Sequence, residues 1–240
     1  MASLRKFAPS IIVPSDAPGL AAPAAIAARL RGEILRGAIP GGERMRQDAV
    51  ATRFGVSQNT AREAFKLLEA EGLLRSEPRR GVSVAPLSAT EVWEITELRS
   101  LLEVQALEWA FPNLDKVSLD AATAVVGQLD KLGSVDDVIS LNASFHRILY
   151  APAKRERTLA IIETLRLNFE RYLRLTWQQT SHLGQSQQEH REILQACRSG
   201  DRKKAASLLR KHILETGRVL VGRIERFHGE DTQDTGEDPS

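Results

Sequence analysis

Cysteine is almost missing from this chain: among 240 residues there is one, Cys197. A lone thiol excludes an intrachain disulfide and leaves no thiolate partner for a metal, as expected in a reducing cytoplasm. Cys197 itself reads as a small helix-packing residue. Long apolar runs are missing too. None approaches the roughly 18–20 residues that a membrane-spanning helix needs, so no membrane partner is expected. The N-terminal stretch, rich in Ala, Pro and Ser, has no extended apolar segment of the secretory type. A surplus of one charge sign is also lacking, since the net charge is +2; total charge makes no case for a nucleic-acid partner. Internal repeats and low-complexity arrays are absent as well.

What is present suffices for a core. Apolar residues make up 42% and charged residues 27% of the chain, ordinary values for one large or two modest globular domains. The charges are unevenly spread. Between Ala24 and Pro86 eleven Lys and Arg face seven Asp and Glu, whereas Gly229 to Ser240 carries five acids and no Lys or Arg. A locally basic N-terminal domain is compatible with nucleic acid. The acidic end, residues 229–240, reads as a disordered tail.

Residues 1–20 lack periodicity and read as a flexible leader. Helices are predicted over about 24–36, 47–54 and 58–71, the first with Ile26, Leu30, Ile34 and Leu35 on one face. Gly37 and Pro40-Gly41-Gly42 end the first, Gly55 ends the second, and Ser57 caps the third. Two β-like runs, about 73–76 and 82–85, flank a turn at Glu77-Pro78-Arg79-Arg80-Gly81. After a Pro86-Leu87 hinge, Ser88-Ala89-Thr90-Glu91 is a capping box. From there on only helical patterning is found, with six helices predicted at about 89–110, 115–132, 135–150, 154–178, 185–199 and 201–227. The expected architecture is mainly α: a winged helix-turn-helix over residues 21–87 and an all-α six-helix bundle over residues 88–228.

The segment from Gln47 to Glu71 has the spacing of a helix, a tight turn and a second helix, and Gly55 can take the left-handed conformation such a turn needs. Gln58, Asn59, Thr60, Arg62 and Lys66 are the polar set near the start of the second helix; Ala61, Ala64, Phe65, Leu67 and Leu68 are expected on its buried side. Amides and Arg at the start of a recognition helix can pair with base edges in the major groove. Ser and Thr hydroxyls and the helix N-terminus suit phosphate oxygens. The turn Arg79-Arg80-Gly81 sets two cations at a hairpin tip, where a wing can reach the adjacent backbone or minor groove. Ordinary caps and solvated helix faces share this pattern, and helix-turn-helix geometry also occurs in proteins that never touch DNA.

Five strings fall in one register: Gly37-Ala38-Ile39-Pro40-Gly41, Phe54-Gly55-Val56-Ser57, Ala61-Arg62-Glu63-Ala64, Leu67 through Leu73, and Arg80-Gly81-Val82-Ser83-Val84. In these residues the chain resembles the N-terminal domain of the GntR family of bacterial regulators. The resemblance implies a homodimer on double-stranded operator DNA, with contacts at Ser57, Gln58, Asn59, Thr60, Arg62 and the wing around Arg80 and Gly81. Arg46, Lys66 and Arg79 complete the expected DNA-binding set. Gln58 stands where the family usually has Arg, and Asp48-Ala49-Val50 where it often has Arg-Glu-Leu. Gln pairs best with adenine and Arg with guanine, so the half-site is expected to differ at that base.

In the C-terminal part Asn142 and His146 are four residues apart and share a helix face. His190 and His212 lie on two further predicted helices. Three imidazoles and one oxygen brought together from three helices can hold a divalent metal, and a set without thiolate suits zinc, nickel or manganese. The alternative is three hydrogen-bonded structural histidines, the reading given to His182 and His228. The strings Leu98 to Glu103, Asn142 to Leu149, His190 to Leu194, and Gly200-Asp201 through Ala205-Ala206 to His212 resemble the FCD-type effector domain of the FadR subfamily, in its shorter VanR-like branch. That resemblance implies a divalent metal, zinc first, on Asn142, His146, His190 and His212. A neutral amide then stands where Asp is the usual ligand. It also implies a small carboxylate metabolite as effector, gripped by Arg99. The alternative for Arg99 is an i,i+4 pair with Glu103 on a solvated face. Arg171, Tyr172, Arg174 and Trp177 are read as packing and surface. The expected function is a cytoplasmic, non-enzymatic transcription regulator, a repressor controlled by its effector. Its rivals are a metal-dependent hydrolase or lyase in the bundle and an architectural DNA-binding protein with no effector.

Overall fold

The structure is a computed structural model that describes residues 22–130, 134–176 and 182–233. The expected leader, Trp177, the side chains of His182 and His228, and residues 234–240 lie outside the described residues.

In the N-terminal part, α1 (Ala22–Leu35) buries Ile26, Ala27, Leu30 and Ile34 as one stripe at three- and four-residue spacing. Helix α2 (Gln47–Phe54) ends at Gly55, whose φ of 66° reverses the chain in a conformation that glycine adopts without a steric cost. Ser57 then caps α3 (Gln58–Ala70), its hydroxyl accepting from the Thr60 amide at 3.1 Å. Ala61, Ala64, Phe65 and Leu68 of α3 join the N-terminal core. Leu67, expected beside them, is 42% exposed. The stripe is centred on Ala61 and Leu68, and Leu67 lies about a third of a turn around the helix from it.

Strands β2 (Leu74–Glu77) and β3 (Gly81–Val84) make the wing, with Leu74 opposite Val84 and Glu77 opposite Gly81. Each lies one residue from its predicted place. A third strand, β1 (Arg44–Met45), has no counterpart in the sequence reading. It pairs antiparallel with β3 and makes the sheet order β1-β3-β2. Two residues carry no measurable period, so only the partner strand defines this element.

Among the described residues six α-helices follow: α4 (Ala89–Ala110), α5 (Lys116–Leu129), α6 (Val135–Tyr150), α7 (Glu156–Thr176), α8 (His182–Arg198) and α9 (Arg202–Gln233). Ser88 caps α4 and Asp115 caps α5. Several limits differ from expectation, and α5 ends three residues before its predicted place. Helix α8 begins at His182, with Gly184 inside it rather than breaking it; one Gly costs a helix only about 1 kcal/mol. Helix α9 continues to Gln233, into the stretch read as an acidic tail. Extending an existing helix is far easier than starting one and needs no apolar face. Val104, Leu107, Phe145, Leu149, Ile193 and Leu209 belong to the bundle core. Gly217 lets α9 approach α4, since a Cβ there would run into the Thr96 side chain. Among the described residues no helix is long and apolar enough to cross a membrane.

Helix α7 ties the two parts together. Its Leu167 packs on the N-terminal core. Arg171 donates to the Ala85 carbonyl at 2.6 Å. The Tyr172 hydroxyl donates to Glu91 at 2.6 Å and accepts from the Ser88 amide at 3.3 Å. Arg171 and Tyr172, read as packing and surface, are therefore buried tethers on either side of the Pro86-Leu87 connection.

Candidate functional site

Two sets of polar residues stand out, one outward and one inward. On α3 the buried stripe leaves Gln58, Asn59, Arg62 and Lys66 facing solvent, with Thr60 half-buried. The Ser57 and Thr60 hydroxyls lie 2.8 Å apart at the helix start. Arg62 reaches Gln47 at 3.3 Å, Lys66 reaches Glu63 at 3.0 Å and Arg46 reaches Asp48 at 2.6 Å. Exposed pairs of this kind are weak because water and salt screen them, so an incoming phosphate can displace them. At the wing tip, φ angles of 66° at Arg79 and 83° at Gly81 turn the hairpin. Arg79 and Arg80 are left exposed, Arg80 at 3.7 Å from Glu77.

Inside the bundle, α6, α8 and α9 bring His146, His190 and His212 together. All three are buried, and each offers a ring nitrogen within 4.8 Å of those of the other two. Every Nδ1 has a partner: the Tyr150 hydroxyl at 2.9 Å from His146, Gln187 Oε1 at 3.4 Å from His190, and Glu189 Oε2 at 2.8 Å from His212. Among the described residues the Nε2 atoms of His146 and His190 are buried with no partner. An orphaned buried nitrogen is costly unless something else occupies it. An imidazole whose Nδ1–H is held from outside turns an Nε2 lone pair inward, which is how a histidine meets a metal ion. Burial, followed by the charge of Arg166, pushes His146 well below the ordinary imidazole value; burial, followed by His212, does the same to His190. Neutral imidazoles are the ligating form. Asn142 lies one turn before His146 and lines the adjoining cavity. The donor set therefore fits a divalent ion.

Arg99 and Glu103 are 5% and 0% exposed and pair at 2.6 Å. The solvated-face alternative for this pair is thereby overturned: α4 turns it inward. Arg99 also lies over the Phe169 ring, 4.4 Å from its centre. Glu103 receives Arg166 of α7 at 3.2 Å and the Tyr150 hydroxyl at 2.7 Å. Burial raises the Glu103 carboxyl, but the Arg99 and Arg166 charges outweigh it and hold the group below the usual carboxylate range. A cavity of about 590 Å³ opens beside this cluster, lined by Arg99, Arg166, Asn142, His190 and His212 among others. Its volume is that of a small-molecule site. Arg31 and Glu71 of the N-terminal part, themselves an ion pair, also line it, so the cavity reaches the seam between the two parts. Arg174, read with its helix neighbours as packing and surface, lines it too and pairs with Glu170 at 2.7 Å.

Tyr150, Arg166, Gln187 and Glu189 are absent from the sequence-predicted set. Tyr150 follows His146 by four residues and Gln187 precedes His190 by three. Helical spacing could have marked both. Arg166 and Glu189 arrive from other helices than the groups they meet, and no chain spacing announces them.

The class these parts define is a winged helix-turn-helix joined to a helical bundle with a cavity of small-molecule size. Residues 23–84 match the gntR family of bacterial regulatory proteins, and residues 94–215 match the FCD domain. The chain is 29% identical over 197 residues to the HTH-type transcriptional regulator BphR of Paraburkholderia xenovorans, across 77% of this chain and 79% of that one. A GntR-family transcriptional regulator of Pseudomonas syringae of known structure is 32% identical, with a TM-score of 0.54 over 85% of this chain and 88% of that one. E. coli McbR/YncC shares the fold, with a TM-score of 0.72 at 19% identity over 86% of this chain and all of that one. The chain belongs to the GntR family of transcription regulators, and its helical bundle is an FCD domain.

Proposed function

We propose that the protein is a homodimeric, metal-containing repressor whose hold on operator DNA is controlled by a small carboxylate metabolite. The observation that carries this is the pair of buried Nε2 atoms of His146 and His190, close to His212 and without a partner among the described residues. Those three imidazoles, with the Asn142 amide oxygen, would hold a divalent ion. Zinc suits the set best; nickel and manganese are the other fits. When bound, the ion supplies a Lewis-acidic seat for an effector carboxylate. Arg99 would grip a second oxygen with its guanidinium fork. The nearest carboxylates, Glu103 and Glu189, already accept hydrogen bonds, which supports a holding site over a hydrolytic one and a non-enzymatic role.

On the DNA side, Ser57, Gln58, Asn59, Thr60 and Arg62 would meet the major groove, with Arg46, Lys66, Arg79, Arg80 and Gly81 on the backbone or minor groove. A two-fold operator calls for two copies of α3 and hence a homodimer. Such DNA lies in the cytoplasm. GlaR of Escherichia coli and the gluconate operon regulator of Bacillus licheniformis are both described as repressors, which supports repression here. Residues 21–87 are the proposed DNA-binding unit and residues 88–228 the sensing unit. An effector can shift the N-terminal part only through different affinity for two arrangements, and a cavity walled partly by Arg31 and Glu71 offers that difference.

Elemental analysis of untagged protein tests the metal, beside His146→Ala. The expected result is about one equivalent of ion per chain, lost in the variant. No metal at neutral pH after soaking in zinc would remove the ion from this function. Equal affinity for random DNA and for the DNA upstream of the protein's own gene would remove the operator.

A further inference from the structure

Glu103 stands where three helices meet. Its carboxylate is completely buried on α4. One oxygen takes Arg99 Nε at 2.6 Å. The other takes the Tyr150 hydroxyl, from the end of α6, at 2.7 Å and Arg166 Nη1, from α7, at 3.2 Å. With two guanidiniums on it the group is a carboxylate, and a carboxylate only accepts hydrogen bonds. The single proton of the Tyr150 hydroxyl is therefore spent on Glu103. The same hydroxyl lies 2.9 Å from His146 Nδ1 and has only lone pairs left to offer there. His146 must donate, so its proton sits on Nδ1 and its lone pair stands at Nε2, the atom that is buried without a partner among the described residues.

We infer that Glu103 is a positioning residue for the metal ligand His146, acting through Tyr150, and that the same carboxylate holds Arg99 and Arg166 in place for the anionic effector. This role presupposes the metal site proposed above. Glu103 cannot act directly, since its nearest oxygen is 3.8 Å from His146 Nδ1, beyond hydrogen-bond reach. His190 and His212 each meet a single acceptor, Gln187 and Glu189. His146 instead depends on a relay of two steps that ends among the guanidiniums. An effector anion that draws Arg99 from its pairing changes the charge around Glu103, and through Tyr150 it reaches the metal ligand. Anion recognition and metal binding are thus coupled through one buried carboxylate.

The experiment uses the full chain freed of metal, with zinc alone as the probe. Long-range 1H–15N NMR reads the tautomer of each imidazole, and competition with a chromophoric chelator reads zinc affinity. Wild-type His146 is expected to carry Nδ1–H. In Tyr150→Phe the two tautomers should mix and zinc affinity should fall about 10–100-fold. Glu103→Gln should shift both readouts in the same direction. A merely structural Tyr150 would lower the thermal midpoint and leave tautomer and affinity unchanged. Wild-type His146 protonated at Nε2 overturns the inference, as does a Tyr150→Phe or Glu103→Gln chain with unchanged tautomer and zinc affinity. A wild-type chain that takes up no zinc overturns the metal site instead. In that event the His146 tautomer in wild type and Tyr150→Phe still decides whether the relay operates.

Discussion

The winged helix-turn-helix and the helical bundle place their polar residues in opposite ways. On α3 and the wing, Gln58, Asn59, Arg62, Arg79 and Arg80 stand in solvent on top of an apolar stripe. In the bundle, Arg99, Glu103, His146, His190 and His212 are all buried. An exposed polar group needs no partner in the free protein and can wait for a ligand. A buried one costs free energy unless the fold supplies partners. The bundle accordingly surrounds its polar residues with Tyr150, Arg166, Gln187 and Glu189, whereas the α3 pairs of Arg62 with Gln47 and Lys66 with Glu63 are exposed. Substitutions in the outward set should change binding and spare folding, while those in the inward set should disturb both.

The sharpest break of this contrast is Glu103→Ala. It leaves two buried guanidiniums without their carboxylate, and a loss of about 3–5 kcal/mol in unfolding free energy is expected by denaturant titration. Glu63→Ala, which removes the exposed partner of Lys66, should cost less than about 0.5 kcal/mol in the same assay. Equal effects would erase the distinction between the two regions.

Next in size is the metal. Zinc at about a hundredfold its Kd should stabilise the wild-type chain by about 2.7 kcal/mol. Thermal melts of His190→Ala should show none of that gain. Acid works in the same place. His146 and His190 are held below the ordinary imidazole value when folded, so the unfolded chain binds more protons as pH falls below about 6.5. Stability of the metal-free protein is full above that pH and declines below it. His190→Ala should flatten the acid limb of its pH–stability curve.

Smaller effects belong to the outward set. Arg80→Ala should weaken operator binding without changing the melt and lower the salt slope by about one. Gln58→Arg should move base preference from adenine toward guanine by about 1–3 kcal/mol in a sequence-selection assay; an unmoved preference would take Gln58 out of the reading face. Ser57→Ala is the exception within this set, because the hydroxyl also caps α3. Loss of the cap on Thr60 should cost about 1 kcal/mol by denaturant titration.

Local chemistry in the sequence by itself determined much of the N-terminal part. Gly55, Ser57 and Ser88 act on groups within four residues of themselves, so their neighbours in the chain suffice to place a turn or a cap. The apolar periods placed six helices in the bundle, and the spacing of Asn142 and His146 put them on one face. Tertiary structure decided the rest. Strand β1 exists because β3 lies beside it, and Leu67 is exposed because of where the core stripe of α3 falls. Arg99 and Glu103 would make the same i,i+4 pair on any helix; that it is a buried charge cluster follows from Tyr150 and Arg166 closing over it from α6 and α7. Which nitrogen His146 presents is settled by three helices at once. A buried group takes its hydrogen-bond partner from whatever the packing puts against it, and chain order does not record that choice.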